Sequence, residues 1–479
     1  MNATKLLTII VLSISANAGF INASHAGANN ADVIITGTDE KPLKTRQAQL
    51  TSAKATSLID IYNQALANDP TLASALNANR AAQEIIEQGK ALYRPTVDLI
   101  GGATATRSSI KFNNVTSNFP RLAGSASFEG YNYSLEARQP IYRKQNLVQI
   151  DQSFTQVSIA DKQYHLSQQN LILRVTQAYF NVLIAQDNID LIKAQKTAIL
   201  NQLEQAKIFF EVGTATITDV NEAQARFDLI VAQEIAAVNS YEIAQHEIEQ
   251  ITGELPPELA TVKSDFKVTQ STLNMQNLLD IAYQNNLNIA IEQENLKLAE
   301  QNVAFNKAAH LPVVDAVANY TDNYTNGGLN GFGNEFKSTN IGLQFQIPLY
   351  QGGLISSRVR QAILDLQRAK DDVQIVRRQT DLDTQRALLN LNSNIAQIKA
   401  LEQALISSQS QLDSTKLGYE VGVRINIDVL NAQQQLFSAK RDLLQARYNY
   451  LVNSIRLKTA TGLVSEVDLV EINSQLLVN

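Results

Sequence analysis

The sequence contains no cysteine and no tryptophan, and only nine of its 479 residues are proline. Without cysteine it can form no disulfide framework, no thiolate metal site and no lipidated N-terminal cysteine. Beyond the first residues, no continuously apolar stretch reaches the roughly eighteen residues that predict a transmembrane helix. The formal charge is -6 and lysine and arginine are not clustered, so nucleic acid is not an expected partner.

The first residues have the pattern of a secretory signal peptide, which we predict at 1–18. A single cation, Lys5, precedes a short apolar run from Leu6 to Ile14, and small residues follow at Ala16 and Ala18. Cleavage as late as residue 26 is the alternative. Residues 19–57 are rich in alanine, asparagine, threonine and serine without periodicity, which predicts a poorly ordered N-terminal extension. The protein is therefore expected to leave the cytoplasm.

Glycine and proline are distributed unevenly, and the stretches without them are long. The 72 residues of 141–212 and the 64 residues of 354–417 contain neither. We predict four long helices, at about 142–212, 214–252, 352–421 and 423–461. At about 1.5 Å per residue the longest would extend on the order of 100 Å.

Apolar residues in the first of these helices follow a heptad pattern. One row runs from Leu147 to Phe210 in alternating steps of three and four residues, and a second row occupies another face. The second row consists of Ile159, Leu166, Leu173 and Phe180. Two seams favour a helix that contacts a neighbour on each side, as in a cylinder of helices, although a solid bundle is also compatible with them.

Four segments between the helices alternate apolar and polar residues, which predicts strands with one face of each kind. They lie at about 96–107, 126–140, 313–324 and 338–349. Each strand is long enough to cross a bilayer, but four strands cannot close a barrel. Several chains would have to share one: two chains give eight strands and a filled interior, whereas three give twelve strands and a lumen. A soluble β-sandwich attached to a coiled coil is the alternative.

Thirteen residues occur twice in nearly the same form. VGTATITDVNEAQ at 212–224 matches VGVRINIDVLNAQ at 421–433, and the offset of 209 residues holds from Glu211 and Glu420 to Gly253 and Gly462. A constant register of this length predicts an internal duplication. The halves would be 58–265 and 266–463, followed by a C-terminal tail at 464–479.

No residue pattern indicates catalysis. The four histidines are scattered along the chain, and HEIEQ at 246–250 has Gln250 where a zinc-protease motif requires its second histidine. We therefore predict that the protein is not an enzyme and needs no cofactor or metal.

Four segments resemble the TolC-like branch of the outer membrane efflux protein family: QAYFNVLIAQDNI (177–189), HLPVVD (310–315), IPLYQGG (347–353) and ARYNYLVNSIRLKTATG (446–462). The resemblance extends from about Leu58 to Asn473. It implies a mainly α fold with β structure, in which a homotrimer forms an α-helical barrel of long coiled-coil helices across the periplasm. A shared 12-stranded transmembrane β-barrel in the cell outer membrane, with four strands per chain, continues it.

The implied function is a passive, gated exit duct for drug efflux, type I protein secretion or both. Its implied partners are a periplasmic adaptor, an inner-membrane transporter of the efflux or ABC type, and outer-membrane lipid. A non-channel periplasmic coiled-coil tether or adhesin stalk is the rival hypothesis, because it too would explain the heptads.

The resemblance also assigns roles to residues near the repeated segment. The turns that would contact the adaptor contain Val212, Gly213, Val421 and Gly422. A latch would join Tyr419 and Arg424 to Thr218 and Asp219. The periplasmic aperture would be ringed by Asp428 and Asn431, where the family has aspartate at both positions, so a trimer would have three charges instead of six. The alternatives are that these are simply favourable turns and solvated side chains.

Overall fold

The structure is a computed structural model of one chain, and it describes residues 55–111, 124–263, 268, 274–328 and 332–477. The predicted signal peptide and the extension as far as residue 54 lie outside this range. The prediction of a mainly α fold with some β structure is confirmed. Within the described ranges, none of the helices has the length and apolar character needed to span a membrane.

Four long helices dominate the chain. They are α3 (Lys144–Glu211), α4 (Ile217–Thr252), α7 (Leu354–Glu420) and α8 (Asn426–Ala460). The two longest contain 68 and 67 residues. Helices α3 and α4 pack against each other as one hairpin, and α7 and α8 as a second. Both ends of each helix lie within three residues of the boundaries expected from the distribution of glycine and proline.

Shorter helices precede the strands in each half of the chain. They are α1 (Leu58–Asn68), α2 (Pro70–Ala91), α5 (Met275–Asn285) and α6 (Leu287–Ala308). A polar residue separates the members of each pair: Asp69 caps α2 by accepting from the amide of Leu72 at 2.9 Å, and Asn286 caps α6. Helix α2 packs along α3, and α6 packs along both α3 and α7.

The larger sheet has four antiparallel strands in the order β1, β2, β4, β5. Their bounds are Thr96–Ile110, Gly124–Tyr142, Val313–Thr325 and Asn334–Gln346. Strand β5 begins four residues before the predicted 338, because its pairing with β4 continues as far as Asn334, and it ends three residues before the predicted 349. The two outer strands, β1 and β5, each have one edge that no described strand pairs with.

An ion-pair cluster joins this sheet to the helices. Asp315, at the start of β4, is nearly fully buried and accepts from Nε of Arg143 at 2.8 Å. A second nitrogen of Arg143 contacts the other carboxylate oxygen, and Nη1 of Arg138 approaches that oxygen at 3.3 Å. Since Arg143 immediately precedes α3, the cluster holds the start of this long helix against β4, the first strand of the second half.

Both ends of the described chain are more ordered than expected. Residues 55–57 belong to the predicted extension, yet Thr56 pairs with Leu259 and Ser57 caps α1. The segment expected as a C-terminal tail, 464–479, forms α9 (Glu466–Asn473) and then β6 (Leu476–Leu477), which pairs with β3 (Thr261–Val262). The tail folds back onto the main core, where Leu469, Ile472 and Leu476 are buried, and Lys458 on α8 donates to Asp468 at 2.6 Å.

The main apolar core collects residues from α1, α3, α4, α7, α8 and α9. At its centre Tyr179 is fully buried, and its hydroxyl donates to the carbonyl oxygens of Ala260 at 2.7 Å and Thr56 at 3.2 Å. Phe180 meets Tyr179 edge-on at 5.6 Å and lies 5.8 Å from Tyr448. Residues far apart in sequence therefore stabilise one core.

Candidate functional site

Two turns of the same geometry reverse the chain at one end of the helical hairpins; we call residues 212–216 the first tip and 421–425 the second tip. Gly213 and Gly422 have φ values of +80° and +79°. A Cβ at either position would meet no atom within 4 Å, so the backbone conformation, and not lack of space, favours glycine there. Val212 and Val421 are about two-thirds exposed, at 67% and 66%. Each tip thus presents an apolar side chain to its surroundings.

The two tips differ in how the following helix begins. On the first tip Thr216 caps α4, and the carboxylate of Asp219 accepts from the Thr216 amide at 2.9 Å and its hydroxyl at 2.8 Å. On the second tip Asp428 accepts from the amide of Ile425 at 3.4 Å. Asp219 is therefore engaged in its own helix cap, and Thr218 beside it is exposed.

The four predicted latch residues lie at this end of the hairpins, on facing elements. The ring of Tyr419 lies 6.4 Å from that of Phe209, across the two hairpins. Partial burial raises the pKa of Tyr419, and the negative charge of Asp219 raises it further. Among the described residues, Arg424 forms an ion pair with Asp428 of its own hairpin, at a distance of 3.8 Å. The side chain of Arg424 is largely exposed. An exposed pair at this distance stabilises little and leaves the guanidinium available to other partners.

Asn431, the second predicted aperture residue, takes part in a contact that sequence analysis did not identify. Its side-chain oxygen accepts from Nη2 of Arg226 on α4 at 3.0 Å, and Nη1 of the same arginine donates to Gln434 at 2.7 Å. A buried hydrogen bond also joins Gln202 on α3 to Asn426 at the start of α8. Comparison of the two copies points to one of these residues. Where the first copy has the apolar Ile217, the second has the polar Asn426.

Apolar contacts support these polar links between the hairpins. A cluster near the tips combines residues of α3 and α4 with Leu430 of α8, and the partly buried Ile427 of α8 packs against it. Its buried members are Ile199, Leu203, Ala206, Ala223, Ile230 and Leu430. The ends of the two hairpins are therefore held together by a small core and by a few hydrogen bonds.

One face of the sheet is mainly apolar and the other mainly polar, and both are accessible in the single chain. At the end where β4 turns into β5, the apolar face also carries an ion-pair cluster of Asp322, Glu335 and Lys337. Because paired residues lie on the same face, the register places Leu99, Leu135 and Tyr320 side by side. The exposed large apolar residues of that face are Val97, Leu99, Tyr131, Tyr133, Leu135, Tyr324, Ile341, Leu343 and Phe345. The opposite face carries mainly polar residues, among them Asn132, Ser134, Thr321 and Gln344. This is the division expected of a sheet between lipid and water.

Among the described residues, no group of three or more histidine and acidic side chains is arranged to hold a metal ion.

Comparison with known proteins gives a family match in two segments. The model of the outer membrane efflux protein family matches residues 61–254 and 278–463. The outer membrane protein TolC of Vibrio cholerae is 35% identical over 425 residues, which cover 88% of this chain and 94% of TolC. The chain belongs to the outer membrane efflux protein family.

Other relatives and structures agree with this assignment. The TolC of Escherichia coli is 33% identical, with 88% of this chain and 86% of that protein covered. The alkaline protease secretion protein AprF of Pseudomonas aeruginosa is 30% identical, with 87% and 86% covered. Among solved structures, CusC superposes with a TM-score of 0.72 at 18% identity, covering 85% of this chain and 92% of CusC. The CmeC outer membrane channel of Campylobacter jejuni superposes with a TM-score of 0.71 at 16% identity, covering 93% and 98%.

Membership of the outer membrane efflux protein family confirms the resemblance noted from the sequence motifs. It also confirms the expected location in the outer membrane and the role of an efflux or secretion channel. These comparisons give no support to the rival hypothesis of a non-channel tether or adhesin stalk.

Proposed function

We propose that three copies of this chain form one passive, gated exit duct. The observation that carries this proposal is the four-stranded sheet, which has an exposed apolar face and two edges without a described strand partner. Each unpaired backbone group at an edge in lipid costs several kcal/mol, so the sheet must close with further copies. Three copies supply twelve strands and leave a lumen lined by the polar face, whereas two supply eight strands whose side chains fill it.

The same arrangement continues in the helices. Four long helices per chain give a twelve-helix barrel for the trimer, which extends the duct across the periplasm. The order of two short helices, two strands and two long helices occurs twice, and the family model matches the chain twice, which supports an internal duplication with halves 58–265 and 266–463.

The tips are the end of the duct that faces its partners. The exposed Val212 and Val421, together with the glycine turns beside them, form six apolar projections in a trimer, and a periplasmic adaptor binds there. The adaptor connects the duct to an inner-membrane transporter of the efflux or ABC type. That transporter supplies the energy, so the duct is not an enzyme and needs no cofactor. Its proposed duty is drug efflux, type I secretion or both: the family description supports efflux, and the name of the relative AprF supports protein secretion.

The gate lies next to the tips. Tyr419 and Arg424 form the latch with Thr218 and Asp219, which the proximity of Tyr419 to Asp219 supports. Asp428 forms a ring of three carboxylates at the aperture, and Asn431 adds a polar but uncharged ring beside it. Like charges in a narrow ring attract cations, so the closed duct is cation-selective.

Labelling on intact cells tests the barrel. Cysteines replacing Asn114 and Asn330, which lie outside the described residues between paired strands, should react with a membrane-impermeant maleimide, since the chain has no cysteine of its own. Glu211→Cys at the opposite end is the matched periplasmic control and should react only after the outer membrane is permeabilised. Absence of labelling at both positions, with normal behaviour of the control, would contradict the proposed orientation.

A further inference from the structure

Near the tips, the side chain of Arg226 joins the two hairpins through two hydrogen bonds to α8. Asn426 on α8 also makes two such bonds, to Gln202 and to the carbonyl oxygen of Asp219, but Arg226 is the charged member of these contacts. Arg226 lies on α4, and both of its acceptors, Asn431 and Gln434, lie on α8. The acceptors are three residues apart, so they occupy one face of the helix and match the two arms of a planar guanidinium.

The surroundings of Arg226 show that this contact belongs to the joint between the hairpins. Ala223 and Ile230, three residues before and four after it on α4, are buried in the small tip core with Leu430, which precedes Asn431. Two helices whose apolar faces meet at this point must lose the Arg226 contact when they separate. The ion pair of Arg424 with Asp428 lies within one hairpin, so Arg424 opposes separation only through the proposed latch with Thr218 and Asp219.

The chemistry of the contact suits a reversible clamp. Hydrogen bonds from a guanidinium are charge-assisted and stronger than neutral ones, but both acceptors here are neutral amides. Both hydrogen bonds are exposed, so water can solvate the guanidinium when the clamp opens and no buried charge is left unpaired. The 209-residue offset places Gln435 opposite Arg226, so the first copy alone has a cation at this position.

We propose that Arg226 is a positioning residue of the gate that keeps the α3–α4 and α7–α8 hairpins of one chain together in the closed duct. This rests on the proposed function as a gated channel, and it adds a clamp that is independent of the latch formed by Tyr419, Arg424, Thr218 and Asp219.

Single-channel recording in planar bilayers tests the clamp. Arg226→Gln should raise the mean conductance of the closed-state channel at least about threefold, because it removes the charge and the two-armed geometry. Arg226→Lys, which keeps the charge but reaches one acceptor at a time, should give an intermediate value. Arg441→Gln is the matched control, because Arg441 on α8 contacts Ser438 and Asp442 of its own helix, and it should leave the conductance unchanged.

The outcomes separate this inference from the proposed function. If the wild-type protein conducts and Arg226→Gln conducts equally, the clamp is refuted and the channel stands; if the wild-type protein forms no channel, the proposed function itself fails. A second experiment tests the clamp even if Arg226→Gln does not assemble. It starts from a channel opened by Tyr419→Phe and Arg424→Ser and adds Arg226→Cys and Gln434→Cys. Joining the two cysteines with a short bismaleimide should return this channel to its closed conductance. A cross-linked channel that still opens would overturn the clamp.

Discussion

Removing one hydroxyl group should measurably weaken the link between the two halves of the helical region. Tyr448 on α8 is 3% exposed, and its hydroxyl donates to the carboxylate of Asp187 on α3 at 2.5 Å. Tyr448→Phe preserves the ring and its contact with Phe180 but deletes the donor. A hydrogen bond to a charged group stabilises by about 1.5–3 kcal/mol. Tyr448 is buried and Asp187 is partly buried, which places this bond near the middle, so we expect a loss of about 2 kcal/mol in the free energy of unfolding.

The same pair predicts a pH dependence with a definite sign. Burial raises the pKa of Asp187 above its ordinary value of 3.8, and the hydrogen bond from Tyr448 opposes this only in part. The folded state therefore holds the proton more tightly than the unfolded state does. The stability contributed by this group is fully present below pH 3.8 and is lost as the pH rises through the raised pKa. Asp187→Asn keeps an acceptor for Tyr448 and should increase the free energy of unfolding at neutral pH.

Denaturant unfolding of the detergent-solubilised protein, followed by far-ultraviolet circular dichroism, measures both effects. Tyr241→Phe is the control, because the hydroxyl of Tyr241 accepts from Gln245 one turn away on α4, where water can replace it. The control should change the free energy by less than about 0.5 kcal/mol. If Tyr448→Phe is no more destabilising than Tyr241→Phe, or if Asp187→Asn lowers stability at neutral pH, the assigned energetics of this pair are wrong.

Two further predictions concern the gate. Tyr419→Phe combined with Arg424→Ser should raise single-channel conductance, since both changes delete donors while leaving the helix seams intact; an unchanged conductance would remove these residues from the latch. Asp428→Ala should nearly abolish block by multivalent cations and weaken cation selectivity. Asn431→Asp should strengthen the block when combined with Arg226→Gln, because Arg226 would otherwise pair with the new carboxylate. Selectivity and block that are unaffected by Asp428→Ala would show that this residue does not line the aperture.

The long elements could be predicted from sequence because their signals are local and repeated. Segments without glycine or proline gave the four long helices, and strict alternation gave the strands, as in Tyr131, Tyr133 and Leu135. The fold-back of 464–477 was not predicted, because it depends on Lys458 reaching Asp468 and on a two-residue strand pairing with a segment about 215 residues earlier. Neither partner has a sequence signal of its own.

Part of the candidate site could likewise be predicted from sequence, and part could not. Gly213 and Gly422 were predicted at turns from the repeat and the family resemblance, and both have a positive φ, which glycine adopts without steric cost. The contact of Arg226 with Asn431 joins residues 205 positions apart, and neither residue stands out from the other polar residues of its own helix. Such a pair becomes visible only when packing brings the two hairpins together, although comparison of the repeats would have shown that Arg226 has no counterpart.

The most direct test of the gated trimeric duct is the conductance of the purified wild-type protein in a planar bilayer, recorded on material whose mass has been determined in detergent. The proposed architecture predicts the mass of three chains and small, uniform, cation-selective steps, since the polar face of the sheet lines the lumen and Asp428 narrows the other end. A stable species of one or two chains, or a trimer that inserts without producing conductance, would contradict it.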